Sequence, residues 1–357
     1  MTGEPRGGAD QIVTSASPVV SISSRSSIGN PARERDPYSP FRKALLSASQ
    51  VRDLSRLRPG RVVRDTMVCW VTIIGAWVAV ALWTEWWVVL AALPIIGARY
   101  YALFIIGHDG MHRRLFATRS ANDWWNDLFC LGPIGAITRL NNRNHLRHHQ
   151  FLASPDDPDR HKHACFNKVD HGELVAFLSG LAGLLRHGRS VFTPSRGPIM
   201  RAAEETEGSY TPRDVGLLVG IQVAIAGSLT AAIGWWAYPV LWLFPVYLFM
   251  YLGDNFRAFA EHSHPESDSA SDDHRLITYL SNPVERFFVA PMNMNYHATH
   301  HLWPSIPYYT LPEADRLIRG QPAASGIEWR GSYLSYLIRY WSAQPLEECR
   351  AVRQSGS

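Results

Sequence analysis

The sequence predicts an all-α integral membrane protein: four transmembrane helices in two hairpins, with a helical cap on the cytoplasmic side. Three observations carry this. Charge-free runs are long enough to cross a bilayer, a block of arginines precedes the first of them, and histidines gather where the runs end. The 357 residues are 46% hydrophobic with a formal net charge of +4, averages that hide a sharp segregation of polar and apolar stretches.

Residues 1–40 are rich in Ser, Gly, Pro and Arg, have no apolar core of a signal peptide, and read as a disordered tail. Leu45 to Leu57 then reads as a short amphipathic helix lying on the membrane surface. From Thr66 to Thr84 there is no charged residue, enough chain to cross the ~30 Å hydrocarbon core. Glu85 interrupts, and a second run reaches Gly107 with Arg99 as its only charge. Trp83, Trp86 and Trp87 around the break have the character of an interfacial belt. Val215 to Gly253 is again uncharged, too long for one span and right for two, with the turn at Gly234 to Pro239. The expected spans are about 66–84, 86–106, 215–235 and 239–260, within a membrane domain of 41–345 and before a C-terminal tail of 346–357.

Arg42, Lys43, Arg52, Arg56, Arg58, Arg61 and Arg64 stand before the first span, whereas both hairpin turns are short and nearly uncharged. The positive-inside rule therefore expects both termini and the segment 107–214 to be cytoplasmic. Trp124 to Ile137, Leu174 to Leu185 and the Tyr/Trp-rich Ile327 to Trp341 are expected as packing or surface helices. Four widely spaced cysteines without a CxxC offer neither a disulfide framework nor a zinc knuckle. The absence of a compact basic stripe interleaved with aromatics argues against a nucleic-acid surface.

The histidines carry the chemistry. "GHDGMH" places His108 and His112 at i, i+4; "NHLRHH" places His145, His148 and His149 at i, i+3, i+4; "HATHH" repeats that pattern with His297, His300 and His301. On a helix these offsets bring imidazoles to one face. His262, after Glu261 at the end of the fourth run, has the same placement, making nine. Nine exceed what one metal ion takes, so two metals are the natural count. Imidazole suits iron, copper or zinc and does not by itself decide among them. Asp109 and Glu261 adjoin these histidines and are candidates for orienting an imidazole. His161, His163, His171, His187 and His274 sit in polar loops and read as solvated; His264 is a competitor for His262.

Over about 66–318 the chain resembles the integral-membrane fatty acid desaturase/hydroxylase superfamily, whose hallmark is three histidine boxes. The resemblance implies a cap holding two non-haem irons, with the three clusters as the boxes and His262 as the ninth ligand. It implies electrons from a ferredoxin or from cytochrome b5 with its reductase, and O2 activated to remove hydrogen from an unactivated C–H. The first box is HxxxH rather than HxxxxH, and Ala258 stands where some acyl-CoA desaturases place an Asn. Both departures point away from that branch. The chain has no cytochrome b5-like His-Pro-Gly-Gly and no GxGxxG, so the reductase is expected to be a separate protein.

The expected activity is desaturation of an acyl or similar aliphatic chain, on a membrane lipid or a small aliphatic substrate, in a bacterial inner membrane. The alternatives are desaturation of a small specialised metabolite such as a rhizobitoxine-type amino-acid enol ether, and hydroxylation of a carotenoid or fatty acid. A zinc-dependent membrane hydrolase is the contrasting class, and the scarcity of carboxylates around the histidines argues against it.

Overall fold

The computed structural model describes residues 41–152, 157–159, 170–179, 210–262 and 276–342 in full, with the backbone of 39–40. The expected N-terminal tail (but for its last two residues), the C-terminal tail, and His161, His163, His187, His264 and His274 lie outside the described residues.

Two short helices, α1 (Ser39–Leu45) and α2 (Ala48–Leu54), lead into α3 (Pro59–Leu82), which starts on a proline at N1, where the missing N–H costs nothing. After a three-residue break comes α4 (Trp86–Met111). Both are longer than expected. The first turns of α3 include Arg61 and Arg64, and α4 runs five residues past the expected end of the span, so His108 lies inside the helix.

One face of this hairpin is core: Cys69, Ile73 and Val80 of α3 pack with Ala92, Ile96 and Tyr100 of α4. The other face of α3 leaves Met67, Val71, Ile74, Val78 and Leu82 exposed. Such a stripe is untenable in water and ordinary against lipid tails. Trp86 and Trp87 at the tip are also exposed, as an interfacial belt requires.

α5 (Arg119–Phe129) follows, then a 3-10 turn at Gly132–Ile134, α6 (Thr138–Phe151), α7 (His171–Leu178) and α8 (Pro212–Ala232). Thr211 and Asp214 form a capping box at the start of α8. Among the described residues, α3, α4 and α8 are long and apolar enough to cross a membrane. The stretch for the expected fourth span is helical but irregular: π-helical at Pro239–Leu243 and Val246–Tyr251, then regular as α9 (Leu252–His262). Trp242 anchors it in the core, with Trp70, Trp77 and Tyr100 around its ring at 5.9, 5.8 and 4.9 Å. Gly97 lets this stretch close onto α4, since a Cβ there would lie 2.4 Å from Phe249 Cβ.

The remaining elements are β1 (Ile277–Tyr279), α10 (Pro283–Phe288), α11 (His297–Leu302), α12 (Leu311–Arg319), β2 (Glu328–Arg330) and α13 (Tyr333–Trp341). Two expectations are corrected here. The chain is not purely α, because β1 and β2 pair in parallel, Ile277 opposite Glu328 and Tyr279 opposite Arg330. Nor does the segment from Leu45 lie free on a surface. Leu45, Leu46 and Leu54 are buried against Leu302, Trp303, Leu311 and Ile318, so α1 and α2 strap the third histidine helix. Polar ties finish the strap: Thr310 Oγ1 donates to Leu54 O at 2.8 Å, and Arg58 N–H donates to Tyr309 Oη at 2.7 Å.

Candidate metal centre

Each histidine box is delivered by the end of a helix. His108 occupies the last turn of α4 and His112 is its C-cap. α5 holds α4 against α6. Asn126 donates to Gly107 O at 3.0 Å and to Thr138 Oγ1 at 2.9 Å, while Asn122 donates to Gly110 O at 2.8 Å. That grip requires glycine within the first box, because a Cβ on Gly110 would lie 2.3 Å from Asn126 Nδ2. Thr138, at the start of α6, donates through its N–H and hydroxyl to Asp127 at 2.7 and 2.5 Å, which sets the rotation of the second box.

The third box sits on α11, too short to hold itself. It is fixed through the residues after it. Tyr308 N–H donates to Asp109 Oδ2 at 2.7 Å, and Tyr308 Oη donates to Asp65 Oδ2 at 2.8 Å. Asp109 was expected to orient an imidazole. Its nearest carboxylate oxygen is 3.9 Å from His108 Nδ1, beyond hydrogen-bond reach, and it instead ties the first box to the turn after the third.

All nine histidines converge, in a division that cuts across the boxes. His108, His112, His145, His149 and His300 form one group, with ring nitrogens within 4.8 Å of one another. His148, His262 and His301 form a second, and His297 joins His262 and Glu261 beside it. Neighbouring Nε2 atoms lie close: 2.8 Å for His112–His145, 3.0 Å for His145–His149, 3.2 Å for His149–His300 and 2.8 Å for His262–His297. Nitrogens at roughly 2 Å from a shared ion at near-right angles would stand roughly 3 Å apart.

A metal fits this donor set on a second ground. His301 is 5% exposed, yet neither of its ring nitrogens has a hydrogen-bond partner among the described residues. A buried imidazole left so is costly, and a bound cation removes the cost.

Two carboxylates stand behind the rings, and only the one at His148 is hydrogen-bonded to its ring. Glu261, fully buried, places Oε2 3.3 Å from His297 Nδ1 and 3.1 Å from Arg257 Nη1, and accepts from Tyr333 Oη at 2.6 Å. Asp157 hydrogen-bonds the second box: its carboxylate oxygens lie 3.0 and 3.2 Å from His148 Nδ1. Sequence reasoning missed Asp157. Its signal, an acid nine residues after a box histidine, was hidden in the acidic turn "SPDDPD".

Burial, reinforced by neighbouring rings, pushes His145, His149, His297, His300 and His301 well below the usual histidine range, and His112 down to about 3. The rings are therefore neutral and ready to ligate. The sign for stability follows. With the folded pKa depressed, the unfolded chain binds more protons, so stability is full above the unfolded value of about 6.5 and falls as pH drops below it towards 3. The metal-free protein is expected to melt at a markedly lower temperature at pH 5.5 than at pH 7.5. A melting temperature constant over that interval would contradict the buried, neutral cluster.

His171 stands apart from the centre, exposed and stacked 4.3 Å from the Trp341 ring.

Comparison with known proteins agrees with this geometry. A family model described as fatty acid desaturase matches residues 84–333. Dihydrorhizobitoxine desaturase of Bradyrhizobium elkanii is 26% identical over 311 residues, covering 79% of this chain and 83% of that protein. Beta-carotene ketolase of a Paracoccus strain is 27% identical over 250 residues, covering 67% and 88%.

Proposed function

Given that this chain belongs to the fatty acid desaturase family, we propose that it is an O2-dependent di-iron desaturase of the membrane, forming a C=C bond in an acyl or similar aliphatic chain. The observation that carries this reading is the convergence of nine buried or half-buried histidines from α4, α6, α9 and α11 into two adjoining groups. His108, His112, His145, His149 and His300 would hold one iron, and His148, His262, His297 and His301 the other. When bound, the irons supply O2 binding and the redox chemistry that breaks an unactivated C–H.

The chain's own part is positional. Asp157 fixes the ring of His148 through Nδ1, leaving Nε2 for the metal, and Glu261 sets its carboxylate beside His297 while tied to Arg257 and Tyr333. Phe104, Leu131 and Ala136 supply the apolar part of the wall beside the histidines. Overall, one O2, two electrons and two protons, with two hydrogens from the substrate, give the alkene and two waters.

The electrons come from a separate donor, a ferredoxin or cytochrome b5 with its reductase. The stretch 239–260 completes the second hairpin as a fourth span. The centre and both termini face the cytoplasm, in a bacterial inner membrane, with 41–345 as the working domain and the tails outside it. The relatives' names, for dihydrorhizobitoxine and beta-carotene, leave desaturation of a small metabolite and oxygenation of a carotenoid as the neighbouring activities.

The test is the purified protein with reduced ferredoxin. Two irons per chain and donor oxidation that requires O2 are expected. Zinc in place of iron, with turnover in anaerobic buffer, would overturn the reading.

A further inference from the structure

A cavity of about 190 Å³ adjoins the histidines between α4, α6 and α9. It is smaller than the roughly 300–1,000 Å³ of pockets that enclose drug-sized ligands, so only a few substrate atoms fit beside the metal centre. Phe104 and Ala258 contribute apolar wall, but Asn141, Asn144, Asp254 and Arg257 also line it. Asn141 and Asn144 are one turn apart on α6, on the face that carries His148.

These polar groups differ in what they can still bind. Arg257 is engaged on every side: Nε donates to Tyr101 Oη at 3.0 Å, Nη1 to Glu261 at 3.1 Å and Nη2 to Asp254 at 3.2 Å. It presents no free cation to clamp an anionic head. Asn141 Nδ2 is used by Ile137 O at 2.9 Å, which leaves its side-chain oxygen to the cavity. Asn144 makes no hydrogen bond among the described residues, and Asp254 meets Arg257 through Oδ1, leaving Oδ2. The remaining capacity is acceptor oxygen on Asn141, Asn144 and Asp254 together with amide N–H on Asn144 and Asn141. A hydrocarbon segment laid against it would leave those groups dry and unpaired, whereas an amine or hydroxyl, which both donates and accepts, would satisfy them.

We propose that this cavity selects a short aliphatic substrate carrying an amine or hydroxyl close to the oxidised carbon, over a long unsubstituted acyl chain. The inference rests on the desaturase reading and names the substrate class of that same site.

Binding of hexylamine, hexanol and palmitate to the purified full-length protein tests it, by calorimetry with iron content measured on each sample. Asn144→Leu is expected to weaken hexylamine and hexanol at least about tenfold while leaving palmitate unchanged or tighter. Asn144→Ala provides the same comparison if the leucine variant does not fold. Amine and alcohol affinities within twofold of the unmodified protein, or palmitate weakened in parallel, would overturn the proposal. The ranking is readable with or without iron, so a protein that lacks iron overturns the desaturase reading separately.

Discussion

Replacing His300 by alanine is expected to abolish turnover, by at least about 1,000-fold, beyond the roughly 10–100-fold typical of losing an outer-shell partner. His300 is fully buried and central to the five-histidine group, with its ring 4.5 Å from that of His108, 4.9 Å from His112 and 4.8 Å from His149. It is the third box's contribution to a group otherwise supplied by the first two. Its loss should lower iron from two per chain to one. The fold should suffer far less, because α11 is held through Asp109, Tyr308 and the α1–α2 strap rather than through this ring. Metal analysis and donor oxidation, read beside His171→Ala, decide the matter. The His171 variant, altered at an exposed ring away from the cluster, should keep activity within twofold. Retained iron and turnover in His300→Ala would refute the grouping.

Glu261→Ala should produce the second largest effect, on stability and metal together. Arg257 is buried, and Glu261 is one of its two carboxylate partners. Removing one partner of a buried ion pair costs about 3–5 kcal/mol, and the lower end applies here because Asp254 remains. The same change frees Tyr333 Oη and removes the carboxylate that lies 3.3 Å from His297 Nδ1, so iron affinity should fall as well. Thermal melting and iron titration of this variant and of Glu261→Gln separate the two losses. The glutamine can still accept from Tyr333 while removing the charge. An alanine variant with unchanged melting and unchanged iron affinity would show that the network is ornamental.

The uncharged runs and the histidine spacings were legible because each is a local property of the chain. A charge-free run is visible residue by residue, and i, i+3, i+4 describes one helix face. The grouping of the histidines was not legible. His300 and His301 are neighbours in sequence, yet the turn of α11 sends one to the five-histidine group and the other to His148 and His262. That rotation is set by Tyr308, Asp109 and Asp65, residues far apart in the chain. The same reason hid the role of Leu45, Leu46 and Leu54. A short amphipathic helix reads alike whether it meets lipid or protein, and its partners lie some 250 residues downstream. The paired strands at Ile277–Tyr279 and Glu328–Arg330 are three residues each, too short for alternation to register. The fourth stretch carries Pro239 and Pro245 at the starts of its two π-helical segments, where a missing N–H breaks the regular ladder, and the apolar run masks both.

The most direct test of the central claim is anomalous diffraction from crystals of the iron-loaded protein, collected across the iron edge. Two iron peaks are expected, one among His108, His112, His145, His149 and His300, the other among His148, His262, His297 and His301. A single peak, or a peak outside these histidines, would contradict the two-iron centre.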